Sequence, residues 1–80
     1  MAKFQGHKNW NHWNVSLWIN NDEGLYRMAR DYIRESIASN GNRESAPEMM
    51  LNALQENGFY KTPDGAPYSV SSIRAAMVGM

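Results

Sequence analysis

The stretch WNHWNVSLWINNDE, Trp10–Glu23, decides the fold, because it contains all three tryptophans of the chain and then becomes polar and acidic. Asn9 or Asn11 can cap a first helix here, since either side chain can accept a hydrogen bond from the free backbone N–H groups of a first turn. We expect this helix to end at about Ile19, where the apolar residues stop. Aromatic rings of this size dominate the packing of small cores and of interfaces, so the placement of the tryptophans bears on both fold and function.

The spacing of the large side chains defines one face of this first helix. Trp10, Trp13 and Leu17 lie at positions i, i+3 and i+7, so they share a face. We predict that Trp13 and Leu17 point inward, against a second helix. One remaining indole, that of Trp10 or Trp18, is expected to be partly exposed and to serve as an anchor for a partner.

The second helix is predicted by its caps and by its apolar periodicity. Asn20 followed by Glu23 has the spacing of a capping box, with asparagine in place of Ser or Thr. The helix is expected to run to about Ala38 and to stop at Asn40–Gly41, where glycine can adopt a left-handed conformation. The residues predicted to be buried are Leu25, Tyr26, Ala29, Ile33 and Ile37, with Met28 and Tyr32 at the edge.

The second half of the chain predicts two further helices. Residues 41–45 are polar and are expected to form a flexible loop. Ser45 then begins a helix with a second capping box, which runs to about Glu56. Thr62–Gly65 has the composition of a tight turn, and Ser69 caps the last helix. The residues expected to be buried in these two helices are Met50, Leu51, Leu54, Val70, Ile73 and Met77.

Together these patterns predict a mostly α, compact four-helix domain that spans residues 1–80. Residues 1–9 have no periodicity and are expected to form an extended arm. The segment around Pro63, between the last two helices, also allows a short β-hairpin. No internal repeat or low-complexity segment interrupts the chain.

Composition limits the classes of function. Eighty residues allow one domain, and the absence of cysteine excludes disulfides and thiolate metal sites. Eight basic and eight acidic residues cancel, whereas nucleic-acid-binding proteins usually carry a basic excess. No apolar run approaches about 18 residues, so no membrane span is expected, and the N-terminus has no signal-peptide pattern. We therefore expect a cytoplasmic protein whose partner is another protein.

No set of residues in the sequence has the spacing of a catalytic or metal site. His7 and His12 are the only histidines, and a metal site needs three or four ligands. Asp22 and Glu23 are neighbours on a helix, so their carboxylates do not face each other. No serine has a nucleophile-elbow pattern or a general base at a familiar spacing. We expect a protein that is not an enzyme and that uses no cofactor and no metal.

Three arginines form a stripe on the second helix. Arg27, Arg30 and Arg34 lie at i, i+3 and i+7, and Asp31 and Glu35 are close enough to pair with them, for example Arg27 with Asp31. One interpretation is a solvated face with internal ion pairs. The alternative is a basic patch that faces an acidic partner.

The C-terminal third contains a pattern of the helix-turn-helix type. A helix ending at Asn57–Gly58, the turn Thr62–Gly65, an aromatic residue and a Ser-capped helix ending in Ile73-Arg74 resemble the DNA-binding domain of large serine recombinases. The resemblance covers about 25 residues and implies a recognition helix that lies in the major groove. The residues that it implicates in nucleic-acid binding are Lys61, Ser69, Ser71, Ser72 and Arg74.

The N-terminal half carries a second resemblance. The motif WNVSLWINNDEGLY, Trp13–Tyr26, is similar to one found in small proteins of phages and mobile elements. Small cysteine-free proteins from that setting are often inhibitors of host defence, including anti-CRISPR proteins. The resemblance therefore implies a genetic setting, a bacterial host cytoplasm, and an association with host-defence inhibition.

Two functions follow from the sequence as hypotheses. The first is a non-catalytic, anti-CRISPR-like inhibitor that binds a host protein or nucleoprotein complex, with a CRISPR effector as the suspected target. The second is a DNA-binding helix-turn-helix regulator that uses the C-terminal segment. The residues expected to contact a partner protein in the first case are Trp10, Trp18, Asp22, Glu23, Arg27, Arg30 and Arg34.

Overall fold

Four α-helices form the regular structure of residues 8–80, which are the residues that the computed structural model describes. They are α1 (Trp10–Asn21), α2 (Glu23–Asn40), α3 (Ala46–Glu56) and α4 (Val70–Met77). α1 packs against α2 and α4, and α3 packs against the same two helices, so the four surround one core. The predicted mostly α, four-helix fold is confirmed. The arm predicted for residues 1–9 lies, up to residue 7, outside the described residues.

The junction between α1 and α2 is a single residue. Asn9 caps α1, its side chain accepting from the backbone N–H of His12 at 3.0 Å. α1 continues past Ile19 to Asn21, and Asp22 rather than Asn20 caps α2, its carboxylate accepting from the Leu25 N–H at 2.9 Å. The prediction of Asn20 as the cap is wrong, because the Asn20 side chain instead donates to a carbonyl of α1 four residues earlier, at 2.9 Å.

The face of α1 that enters the core is not the face of the tryptophans. Asn14, Val15 and Ile19 are the buried residues of α1, and Leu17 is 39% exposed. Successive residues turn by about 100° around a helix, so burying Val15 necessarily turns Leu17 away from the core. Trp13 is only half-buried. The prediction that Trp13 and Leu17 point inward is therefore wrong.

α2 shows a similar shift of its buried face toward smaller residues. Ala29, Ile33 and Ser36 are buried, whereas Ile37 is 48% exposed and Tyr26 is half-buried, contrary to prediction. Ser36 can be buried because its hydroxyl is satisfied. It donates to the Asn42 carbonyl at 2.7 Å and accepts from the Ser45 N–H at 3.3 Å. These bonds hold the chain where it leaves α2.

The connection from α2 to α3 starts at Gly41, whose left-handed conformation (φ 79°) confirms the predicted stop. Arg43 then reaches across to the end of α4, where its guanidinium donates to the carbonyls of Met77 and Met80 at 2.6 and 2.8 Å. Terminal helix carbonyls have no partner within their own helix, so this arginine satisfies them. Ser45 occupies the cap position of α3 as predicted, but its side chain makes no capping bond there.

The connection between α3 and α4 does not form the hairpin that the sequence allowed. Among residues 8–80 the only β-type pairing outside the helices is one antiparallel bridge between Lys61 and Pro67. Pro63 and Pro67 have no N–H to donate to a ladder, which stops the pairing from extending. Ser69 then caps α4 in a capping box with Ser72, as a serine cap was predicted to do. Within residues 8–80, no helix is long and apolar enough to cross a bilayer.

Candidate functional site

A hydrogen-bonded network attaches the turn between α3 and α4 to the middle of α1. The Asn14 side chain donates to Asp64 at 2.8 Å and accepts from the Thr62 hydroxyl at 2.6 Å. The indole N–H of Trp18, one helical turn further along, donates to the same Asp64 oxygen at 2.9 Å. The Thr62 hydroxyl also accepts from the Ala66 N–H across the turn. We call Asn14, Trp18, Thr62 and Asp64 the Asn14 network.

The Asn14 network determines the ionisation of Asp64. Hydrogen bonds from Asn14 and from Trp18 hold the pKa of the Asp64 carboxyl below its ordinary value of 3.8, because both donors favour the carboxylate. The carboxylate is exposed to solvent, while Asn14 and Thr62 are buried. At neutral pH Asp64 is a carboxylate that accepts hydrogen bonds from both Asn14 and the Trp18 indole.

Lowering the pH through the depressed pKa of Asp64 is expected to weaken the attachment of the turn to α1. Because the pKa is lower in the folded state than in the unfolded state, the contribution of this contact to stability is complete above the unfolded pKa. It is lost as the pH falls through the folded pKa. The indole ¹H–¹⁵N resonance of Trp18 should shift in a single step over that range. The Asp64→Asn variant should lack this step, and the same step in the variant would assign the titration to another group.

An apolar groove lies beside the Asn14 network, where the end of α1, the start of α2, the end of α3 and the following connection meet. It encloses about 500 Å³, which is within the usual size of sites that hold a ligand or a partner's side chains. Three aromatic side chains take part in it. The residues that line the groove are Trp18, Asp22, Gly24, Leu25, Met28, Leu54, Asn57, Phe59, Lys61, Pro63 and Tyr68.

The apolar surface continues beyond this groove. Phe59 is 59% exposed and the neighbouring Tyr60 is 58% exposed. A second hollow, lined in part by the exposed Leu17, adjoins the groove at Trp18 and Asp22. Large exposed apolar side chains that adjoin one another are typical of interaction surfaces. The groove and the second hollow thus share two lining residues, Trp18 and Asp22.

Four residues with polar side-chain groups interrupt the apolar lining of the groove: Asp22, Asn57, Lys61 and Tyr68. Tyr68 is buried, with 8% of its surface exposed, and it lines the groove. Burial and the nearby Asp22 carboxylate raise the pKa of Tyr68, so its hydroxyl stays protonated.

The predicted partner-binding residues are separated by the structure. Trp18 and Asp22 line the groove, but Trp10 is exposed at the start of α1 and does not. Glu23 forms an exposed ion pair with Arg27, so the pairing of Arg27 with Asp31 given as an example is wrong. Arg34 pairs with Asp31, and the Arg30 guanidinium lies 5.7 Å from the centre of the Tyr26 ring.

The residues implicated by the helix-turn-helix pattern have mostly structural contacts. Ser69 and Ser72 are used in the capping box, and Ser72 is buried, so it is not available to touch DNA. The Ser71 hydroxyl lies 2.8 Å from the Nε2 of His12 on α1. Arg74 is exposed, and Lys61 lines the groove. The whole segment 57–69 separates α3 from α4, whereas a helix-turn-helix joins its helices by a turn of about 3–4 residues.

Most of the residues that build this region have no local signal in the sequence. Asn14, in the middle of an otherwise apolar helix, was a visible signal, since a buried amide must have partners. Its partners Thr62 and Asp64 are about 50 positions away, and no local pattern connects them. Phe59 and Tyr68 lie in the segment between α3 and α4, where no local pattern marks them as parts of a groove. Among residues 8–80 no group of three or more potential ligands could hold a metal ion.

Comparison with known proteins identifies a family for the whole chain without adding a named relative. No curated protein and no solved structure matches the chain. One family model, described as a family of unknown function (DUF7249), matches residues 1–80 and so covers α1 to α4, the Asn14 network and the groove. The chain is therefore a member of the DUF7249 family of unknown function.

Proposed function

We propose that this protein is a non-catalytic binding protein whose groove takes an apolar segment of a partner protein. The observation that carries the proposal is the groove itself, where Trp18, Phe59 and Tyr68 converge over aliphatic residues on a surface open to solvent. Aromatic anchors that fit into such depressions, or that form them, supply most of the energy of typical interfaces. A domain of this size has few other ways to obtain affinity.

The shape of the surface favours a protein segment over a small molecule. A small ligand would be held by one enclosed cavity with a few converging polar groups. Here a second hollow lined by Leu17 shares Trp18 and Asp22 with the groove, and Phe59, which lines the groove, is 59% exposed. An extended strand or a short helix of a partner could occupy this surface, with two or three apolar side chains inserted.

We further propose that the partner is a component of a bacterial host-defence complex, with a CRISPR effector as the leading candidate. The support for this step is the similarity of Trp13–Tyr26 to a motif of phage and mobile-element proteins. That motif includes Trp18, Asp22 and Leu25, which line the groove. Binding of the groove to an effector subunit would block assembly or target access without any chemical step.

Replacing Phe59 with Asp is expected to weaken binding of the partner by at least about tenfold, because a truncated aromatic anchor typically costs about 2 kcal/mol or more. Phe59 is mostly exposed, so the fold should tolerate the change. Ile37→Asp is the matched control, since it places the same charge on another exposed apolar residue outside the groove. The measurement is binding to purified CRISPR effector complexes, together with phage plating on cells that carry them.

The comparison between these two variants decides the proposal. If Phe59→Asp loses effector binding and no longer protects the phage, while Ile37→Asp keeps both properties, the groove is supported as the binding surface. Equal behaviour of the two variants would remove the groove from the function. A gel-shift assay on duplex DNA tests the helix-turn-helix alternative, because tight binding that weakens steeply with salt would indicate a nucleic-acid partner instead.

A further inference from the structure

We infer that this protein forms a homodimer in which α1 packs against α1 of a second copy in the antiparallel direction. The contact is made by the outer face of α1, which we define as Trp10, Trp13 and Leu17. None of these residues lines the groove, so the inference goes beyond the proposed function. It depends on three features of α1: its two apolar sides, its lack of charge, and the order of the large side chains along the outer face.

The first feature is that α1 is apolar on two opposite sides. Val15 and Ile19 are fully buried on the side that packs against α2 and α4. Leu17 lies about 200° around the helix from Val15, because successive residues turn by about 100°. On that outer side Trp10 and Leu17 are each 39% exposed, and Trp13 is half-buried. A helix that is apolar all round is normally buried on all sides, so the outer face is suited to a covering partner.

The second feature is the absence of charge. α1 contains no Asp, Glu, Lys or Arg, although one side of it faces solvent. Its one histidine, His12, does not belong to the outer face, because its ring contacts Ser71 of α4. At the centre of typical protein interfaces tryptophan is enriched and charged residues are depleted. The outer face has this composition.

The same lack of charge favours a second copy of the chain as the partner. In a two-fold dimer one patch faces itself, so a charge close to the axis meets an equal charge. The outer face of α1 avoids this repulsion. The other three helices all expose charged side chains, which are Glu23, Arg27, Arg30, Asp31, Arg34 and Glu35 in α2, Glu48 and Glu56 in α3, and Arg74 in α4.

The third feature is the order of the side chains along the outer face. Trp13 lies in the middle, three residues after Trp10 and four residues before Leu17. In an antiparallel pair whose axis passes beside Trp13, each Trp10 meets Leu17 of the other copy, and the two Trp13 rings meet at the axis. Every Trp10 ring is then opposite a smaller side chain, and the helix dipoles oppose each other. A parallel pair would place Trp10 on Trp10 and Leu17 on Leu17, so the helix separation would differ between the two ends.

The contact is small, which determines how it is measured. α1 has 12 residues. At about 1.5 Å per residue it is about 18 Å long, so we expect an interface at the lower end of the specific range and a reversible dimer. Sedimentation velocity of the whole protein from about 5 µM to about 1 mM covers the dissociation constants of such contacts. We expect mainly monomer at the lowest concentration and mainly dimer at the highest.

Two single variants and their mixture test the pairing. Leu17→Glu and Trp10→Lys each place a charge against an apolar side chain at both contacts of the dimer, so each should weaken self-association at least about tenfold. An equimolar mixture of the two should associate more tightly than either variant alone. In the mixed dimer the new lysine of one chain meets the new glutamate of the other, and the second contact remains a pair of Trp10 with Leu17.

Ile37→Glu is the matched control, since it places the same charge on an exposed apolar residue of α2. It should dimerise like the parent protein. Far-UV circular dichroism of each variant verifies that the helices are retained.

The possible results separate three points. A chain that remains monomeric at about 1 mM would overturn the inference and leave the outer face to a different protein. An association that neither charge variant weakens, or that Ile37→Glu weakens equally, would overturn the assignment to α1. A dimer that both variants lose and that their mixture does not regain would overturn the antiparallel pairing. These outcomes leave the comparison of Phe59→Asp with Ile37→Asp unaffected, because that comparison tests the groove.

Discussion

Replacing Asn14 with Ala is expected to lower the free energy of unfolding by about 2–3 kcal/mol. Asn14 is 1% exposed, and its amide connects α1 to both Thr62 and Asp64. Its removal leaves the buried Thr62 hydroxyl without its acceptor and takes one donor from Asp64. It also removes the packing of a side chain that is almost fully buried.

Urea unfolding followed by far-UV circular dichroism measures this effect. The matched control is Asn52→Ala, which makes the same substitution in a helix, at an exposed position of α3. Alanine has a higher helix propensity than asparagine, so each substitution by itself raises the free energy of unfolding by about 0.5 kcal/mol. The control variant measures this contribution alone. Equal stabilities of the two variants would show that the Asn14 network contributes nothing to folding. In Asn14→Ala the Trp18 indole resonance should also shift, because Trp18 shares Asp64 with Asn14.

Replacing Met50 with Ala is expected to have the largest effect of all, a loss of about 3 kcal/mol within the range of about 2–5 kcal/mol for such core truncations. Met50 is fully buried at the centre of α3. A domain of this length has a total stability of only about 4–12 kcal/mol, so the variant loses a large part of it. It should unfold at a much lower urea concentration than the parent protein.

Met49→Ala is the control for this prediction, since the neighbouring methionine is only half-buried. The two substitutions remove the same atoms and have the same helix propensity, so their difference measures burial alone. We expect Met49→Ala to cost about 1 kcal/mol or less. A cost equal to that of Met50→Ala would mean that α3 presents a different face to the core.

The two variants also separate stability from binding. Met50 lies in the core and does not line the groove, whereas Asn14 acts on the groove through Trp18 and Asp64. At a temperature where both variants are folded, we expect Met50→Ala to retain partner binding. Asn14→Ala should bind more weakly, because the ring of Trp18 is no longer held by the complete network.

Local signals in the sequence were sufficient for the existence and order of the helices. Gly41 ends α2 in the predicted left-handed conformation, and Ser69 caps α4 as predicted. These features depend on a few neighbouring residues, so a local pattern determines them. The sequence pattern predicts the start of α2 two residues too early, because three of the four residues Asn20–Glu23 are good caps. Only the hydrogen bonds formed in the fold select Asp22.

The sequence by itself determined that this chain forms four helices joined by polar connections, because caps, breakers and apolar periodicity act over a few residues. The tertiary structure alone decided which face of each helix is buried. In α1 the tryptophans lie at the margin of the core, while Val15, Ile19 and the amide of Asn14 enter it. An apolar residue can be buried in several helix rotations, and the contact with Thr62 and Asp64, far along the chain, selects one of them. That rotation places Trp18, one of the two indoles predicted as an anchor, at a groove whose other residues come from parts of the chain that no local pattern connects.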